Sequence, residues 1–172
     1  CYYGYRRSGK VHIYDPVAGG AALVVIDVDS SNLAVFKDPA TGEPRLACGT
    51  GHWDDKSKQK IGNVRIFDPI AGGEALLVIK LGRVDKMKAL VVFEDPATGA
   101  PRLACGTSGY DRETRSPVHI VRVFDPVAGG EALLVIDVGS DVNALAVFAD
   151  KTGALRLACG TSRDDGETGD VR

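Results

Sequence analysis

The most chemically suggestive grouping in this chain is an aromatic ring beside carboxylates. It occurs as Gly4-Tyr5-Arg6-Arg7, Gly51-His52-Trp53-Asp54-Asp55 and Gly109-Tyr110-Asp111-Arg112-Glu113, each a few residues after an aligned cysteine. The apolar face of such a ring can stack on a sugar while acidic oxygens accept its hydroxyl protons. Tyr5, Trp53, Asp54, Asp55, Tyr110 and Asp111 are therefore the candidate ligand-binding residues, with a glycan as partner. Weak sites repeated within one molecule reinforce each other through multivalency. The fourth copy, Ser162-Arg163-Asp164-Asp165, has no aromatic. A competing structural role for the rings is to staple long loops onto the body of the protein.

Other chemistry is poorly supported. Cys48, Cys105 and Cys159 form no Cys-x-x-Cys and no Cys/His zinc pattern. They alternate with Leu46, Leu103 and Leu157, which predicts buried thiols on an inward face. In a threefold fold, equivalent thiols could also converge on the axis. Asp27-Val28-Asp29-Ser30-Ser31-Asn32 resembles an oxygen-rich calcium loop, with Asp137 and Asp141 as an echo. The second copy has Lys80, Arg83 and Lys86 there, and no EF-hand frame follows, so a solvated hairpin tip is expected. His12, His52 and His119 do not share one aligned position, and none stands beside an evident nucleophile. Gly19-Gly20 lacks the Lys-Ser/Thr of a phosphate loop. The adjacent pairs Asp54-Asp55 and Asp164-Asp165 are unsuited to converge on one substrate atom. The expectation is a non-enzymatic protein with no catalytic residues, no metal and no cofactor.

The elements that must position these residues come from an internal repeat of about 55 residues. Val11–Gly20 returns as Val64–Gly73 and as Val121–Gly130, and each copy ends in Arg-Leu-Ala-Cys-Gly-Thr. The boundaries read as an N-terminal arm at 1–10 and repeats at 11–60, 61–117 and 118–172 of a single domain. Within a copy, Val11-His12-Ile13-Tyr14 alternates with period two, and Leu23–Ile26 is a β-branched run expected where both sheet faces are covered. Leu33–Phe36 and Arg45–Cys48 complete four short strands. Asp15-Pro16 and Asp38-Pro39 set turns, and Gly19, Gly20 and Gly42 supply positive φ. The segments Asp29–Asn32, Gly82–Ala89 and Gly139–Ala144 vary in length, which marks exposed tips. Those from Gly49 to Asn63 and from Gly106 to Pro117 are polar and predict surface loops.

An all-β fold of three tandem four-stranded repeats follows. A β-trefoil-like arrangement is the first expectation, with propeller blades completed by oligomerisation, or a β-prism, as alternatives. Cys1 aligns with the closing cysteines, and Val171-Arg172 with the openings Val64-Arg65 and Val121-Arg122. That register suggests a segment of a longer array, or head-to-tail self-association through the terminal strands. The net charge of -2 offers no electrostatic basis for a nucleic-acid partner. The longest apolar runs are too short for membrane insertion as a helix. The start at Cys1 and the loop-rich surface lean toward an extracellular protein. Two functions remain: a lectin-like carbohydrate-binding protein, and a structural protein forming part of a fibre, array or homo-oligomeric ring. A hydrolase with its site at one loop cluster is a weaker third.

Overall fold

The turns show why these residues fold as hairpins. In the computed structural model, which describes residues 9–30, 32–56, 58–83, 86–111 and 116–162, Asp15 Oδ1 accepts the N–H groups of Val17 (2.7 Å) and Ala18 (2.9 Å). Asp68 and Asp125 do the same for Ile70 and Ala71 and for Val127 and Ala128. The N–H groups hold the Asp15 and Asp68 carboxyls below the usual carboxylate range. Each turn closes on a glycine: Gly19, Gly72 and Gly129 lie at φ between 66° and 70°, where a Cβ would be strained.

Among the described residues, twelve strands and no helix result: β1 (Val11–Ile13), β2 (Val24–Ile26), β3 (Asn32–Lys37), β4 (Pro44–Asp54), β5 (Gln59–Phe67), β6 (Leu77–Arg83), β7 (Lys86–Glu94), β8 (Pro101–Asp111), β9 (Ser116–Phe124), β10 (Leu134–Asp137), β11 (Asp141–Ala149) and β12 (Leu155–Ser162). They form four small antiparallel sheets: a pair β1-β2, two four-stranded sheets β3-β4-β5-β6 and β7-β8-β9-β10, and a pair β11-β12. The full sheets are meanders in chain order. No barrel closes among the described strands.

The sheets stack through three apolar layers. Val11, Ile26 and Val28 of the first pair meet Leu46, Cys48 and Phe67 of the first full sheet. That sheet's opposite face, with Phe36, Ala47, Val64, Ile66 and Ile79, meets Leu103, Cys105 and Phe124 of the second. The second sheet then turns Ala104, Val121 and Val123 to Val142 and Cys159 of the last pair. Each layer therefore sets a Leu/Cys/Phe face on an Ala/Val/Ile face, as period-two alternation requires.

Several expectations need correction. Each full sheet takes its first two strands from one sequence repeat and its last two from the next. The joint is the segment from Gly49 to Asn63, expected as a surface loop. It is instead a β-ribbon in which β4 and β5 pair continuously from Leu46↔Phe67 to Asp54↔Gln59, and β8 and β9 do likewise. The β-branched run is not covered on both faces. β6 and β10 are sheet edges, and Val78 and Val135 are exposed on them. The tip Gly139–Ala144 is not wholly exposed either, since Ser140, Asp141 and Val142 are buried.

The cysteines are buried as expected, but each lies in a different layer, so they converge on no axis. Burial pushes the Cys48 thiol up to about 11 and the Cys105 thiol to about 12, and raises that of Cys159. Since the thiolate is the nucleophile, iodoacetamide at pH 8 should leave Cys48 and Cys105 unmodified in the native protein and alkylate both rapidly in urea. Peptide mapping that finds Cys105 alkylated equally fast in both conditions would contradict its place between the sheets.

Candidate functional site

The aromatic residues stand on the outer halves of the two ribbons. Trp53 lies on β4 opposite Lys60 and Tyr110 on β8 opposite Pro117. Each is the fifth residue after its cysteine in an unbroken register, so the rings occupy equivalent sides of successive sheets. Trp53 is 59% exposed and Tyr110 49%, so neither ring is clamped down as a staple. Of the acids, Asp54 Oδ1 accepts the Lys56 N–H at 3.4 Å, and Asp55 lies 3.8 Å from Lys58 Nζ across the ribbon tip. Asp111 ends β8, its side chain lying outside the description. Tyr5 falls outside the described residues. The ribbon thus brings Trp53, Asp54 and Asp55 to one tip and sets Tyr110, also exposed, on the next.

A cleft of about 290 Å³ lies inward of the first ribbon, lined by Asp27, Asp29, Thr50, His52 and Arg65 among others. It gathers two acids of the calcium-like segment, but Asp27 is solvent-facing and paired with Lys10 at 3.1 Å. No trio of His, Cys, Asp or Glu with metal-binding geometry occurs among the described residues. His52 Nδ1 is engaged by Asn63 Nδ2 at 3.3 Å.

One polar cluster escaped the sequence reading. Lys88 Nζ donates to Asp141 Oδ2 at 2.7 Å and to Asn143 Oδ1 at 3.0 Å, tying β7 to β11. His119 Nδ1 lies 2.8 Å from Asp141 Oδ1, close enough for charge attraction but without hydrogen-bond geometry. Burial alone would push the Asp141 carboxyl up. Lys88, the His119 charge and the Ser108 hydroxyl outweigh burial and leave it below the usual range. A serine, a histidine and an acid thus meet, with the serine hydroxyl bonded to the carboxylate that Lys88 also holds. The cluster is a tie between sheets. Lys88, Asp141 and Asn143 sit in the length-variable tips, where no repeat signal could reveal them.

A depressed carboxyl stabilises the fold fully above its unfolded pKa of about 3.9, and that stabilisation disappears as pH falls through the lower folded value. Asp141→Asn should cost about 1–3 kcal/mol at pH 7, through the bond lost and Lys88 left without its anion. The mutant should also lose less stability than wild type below about pH 4. Urea midpoints from pH 7 to pH 3 test this, and parallel curves would exclude the role.

The ends of the stack form a second candidate site. At the β11-β12 end, Phe148 is 53% exposed, while its aligned counterpart Phe36 is 6% exposed beneath the next sheet. At the β1-β2 end, Leu33 and Val35 are exposed, while their counterparts Leu90 and Val92 pack on the preceding sheet. Among the described residues β1 pairs only with β2, and β12 only with β11. Arg102 lies 3.0 Å from Asp95 and 3.7 Å from Asp125, an acid of the adjoining hairpin. Arg45 likewise pairs with Asp38 and acts on Asp68. Arg156 pairs with Asp150, and no following hairpin among the described residues supplies the second acid. No protein-family model, curated protein or solved structure matches this chain.

Proposed function

We propose that the protein is a structural assembly module: a non-enzymatic stack of β-sheets that extends or closes by receiving like units at its two ends. One observation carries this. Among the described residues, two-stranded half-sheets cap a stack whose interior sheets have four strands, and each half is what the other would need. Edges and apolar faces left open in this way are sites of strand addition. In this reading each four-stranded meander is equivalent to a propeller blade, which favours blades completed by oligomerisation over the trefoil or the prism. A ring needs at least about four blades. A pair of chains sharing their half-sheets would have six. Mass photometry across a concentration series should show discrete multiples of the chain. Monomer alone at high micromolar concentration would remove the proposal.

A second reading, carbohydrate binding, is favoured by the exposure of Trp53 and Tyr110 at equivalent positions on neighbouring ribbons. Rings presented in a row suit an extended glycan, each adding a weak stacking contact. A glycan array supplies the test. Binding should be lost on Trp53→Ala and Tyr110→Ala, and a blank array would remove this reading.

A further inference from the structure

Resting on the assembly reading, we propose that the partner at each end is a second copy of this chain, joined head to tail. β12 of one copy pairs with β1 of the next, and Arg156 of the first reaches Asp15 of the second.

The interior joints supply the template. β4 pairs with β5 through Leu46↔Phe67, Ala47↔Ile66, Cys48↔Arg65 and Gly49↔Val64, and β8 pairs with β9 in the equivalent register. Carried to the ends by sequence alignment, this sets Leu157 opposite Tyr14, Ala158 opposite Ile13, Cys159 opposite His12 and Gly160 opposite Val11. The faces then agree. Cys159 packs toward the sheet before it. Val11 and Ile13 pack toward the sheet after them, so His12 points the same way as Cys159.

Three further features fit without rearrangement. Phe148 of the first copy comes to lie over Leu33 and Val35 of the second, repeating the packing of Phe36 against the layer holding Leu90 and Val92. Arg156 meets Asp15, whose carboxylate is held ionised in the same Asp-Pro turn as Asp68 and Asp125, the acids that Arg45 and Arg102 face. Gly160 is the third glycine of a series. Gly49 and Gly106 are covered by Met87 and Val142 of the following sheet, whereas a Cβ on Gly160 would meet only its own hairpin partner Ala144. An apolar face, a charge and an open seat therefore coincide at one end, and the apolar and charged complements at the other. Such an interface is heterologous, because the two surfaces differ.

That asymmetry dictates the test. Phe148→Glu spoils only the β12 end and Val35→Glu only the β1 end. Both residues are exposed, so at a dilution where wild type is monomeric each variant should keep the wild-type circular-dichroism spectrum and melting temperature. Alone, each should associate at least about tenfold more weakly than wild type in sedimentation velocity, since a buried charge at an interface centre removes a dominant contact. Mixed in equal amounts, they should form dimers and nothing larger, because one intact junction survives between the intact β12 end of V35E and the intact β1 end of F148E. If wild type assembles but the mixture stays monomeric, or either variant assembles as wild type does, the junction is wrong and the assembly reading survives. If wild type itself stays monomeric, both fall.

Discussion

Replacing Phe124 by alanine should lower stability by about 3–5 kcal/mol, the range for deleting a buried ring without refilling its space. Phe124 is 2% exposed and sits where the second full sheet meets the first, with Leu103 and Cys105 on its own sheet and Phe36 and Ile79 opposite. None of these can follow the backbone inward, because each is fixed by its own strand register. The aligned positions give internal controls. Phe67→Ala should be nearly as costly, since that ring is buried against β1-β2. Tyr14→Ala in dilute protein should cost less than about 1 kcal/mol, as Tyr14 is half exposed on a face over which no sheet lies among the described residues. Urea denaturation of the three variants measures the series. Equal costs would mean that the rings do not occupy graded environments, and the layered packing would be wrong.

The second large effect concerns the glycine that follows each repeat cysteine. A Cβ on Gly106 would lie 2.7 Å from Val142 Cγ1 and 3.1 Å from Val142 Cβ. Valine is branched at Cβ and stiff at χ1, so β11 itself must move. Gly106→Ala is expected to cost about 1–3 kcal/mol, the usual penalty of overpacking. At Gly49 the obstacle is Met87 Sδ, the flexible end of an unbranched chain that can swing aside. Gly49→Ala should therefore cost less despite the closer approach. Gly160→Ala, with only Ala144 at 3.4 Å, should be close to neutral in the monomer. Combining Gly106→Ala with Val142→Ala should recover part of the loss, since the collision is removed. Thermal denaturation of the four variants decides, and a Gly106→Ala protein as stable as wild type would place β11 elsewhere.

Much of the local structure was legible in the sequence. Asp-Pro followed three residues later by glycine specifies a turn by chemistry alone, and the hairpins β1-β2, β3-β4 and β7-β8 appear where that chemistry put them. The partnership of β4 with β5 was hidden for a physical reason. Gly49-Thr50-Gly51-His52-Trp53-Asp54 has no apolar alternation, since hydrogen bonding across the outer ribbon, backbone and side-chain, sustains it rather than apolar burial. A hydrophobic period reports burial, so an unburied strand is silent. The edge position of β6 was misjudged for the converse reason. Leu77-Val78-Ile79 has the composition of a fully buried strand, although Val78 faces solvent. Of the candidate site, the exposure of Trp53 and Tyr110 accords with their polar neighbours. The Lys88–Asp141–His119 tie takes Lys88 and Asp141 from length-variable tips and had no repeat signal to read.

Among the described residues, each apolar layer joins only consecutive sheets; none reaches past its neighbour. Stability in such a molecule is a sum over adjacent pairs, as in a one-dimensional chain of coupled spins. The two capping pairs, each leaning on a single sheet, are its weakest links, and melting begins there and travels inward. Every like unit added at an end would turn a fraying cap into an interior layer, so an array built this way would grow firmer with its length.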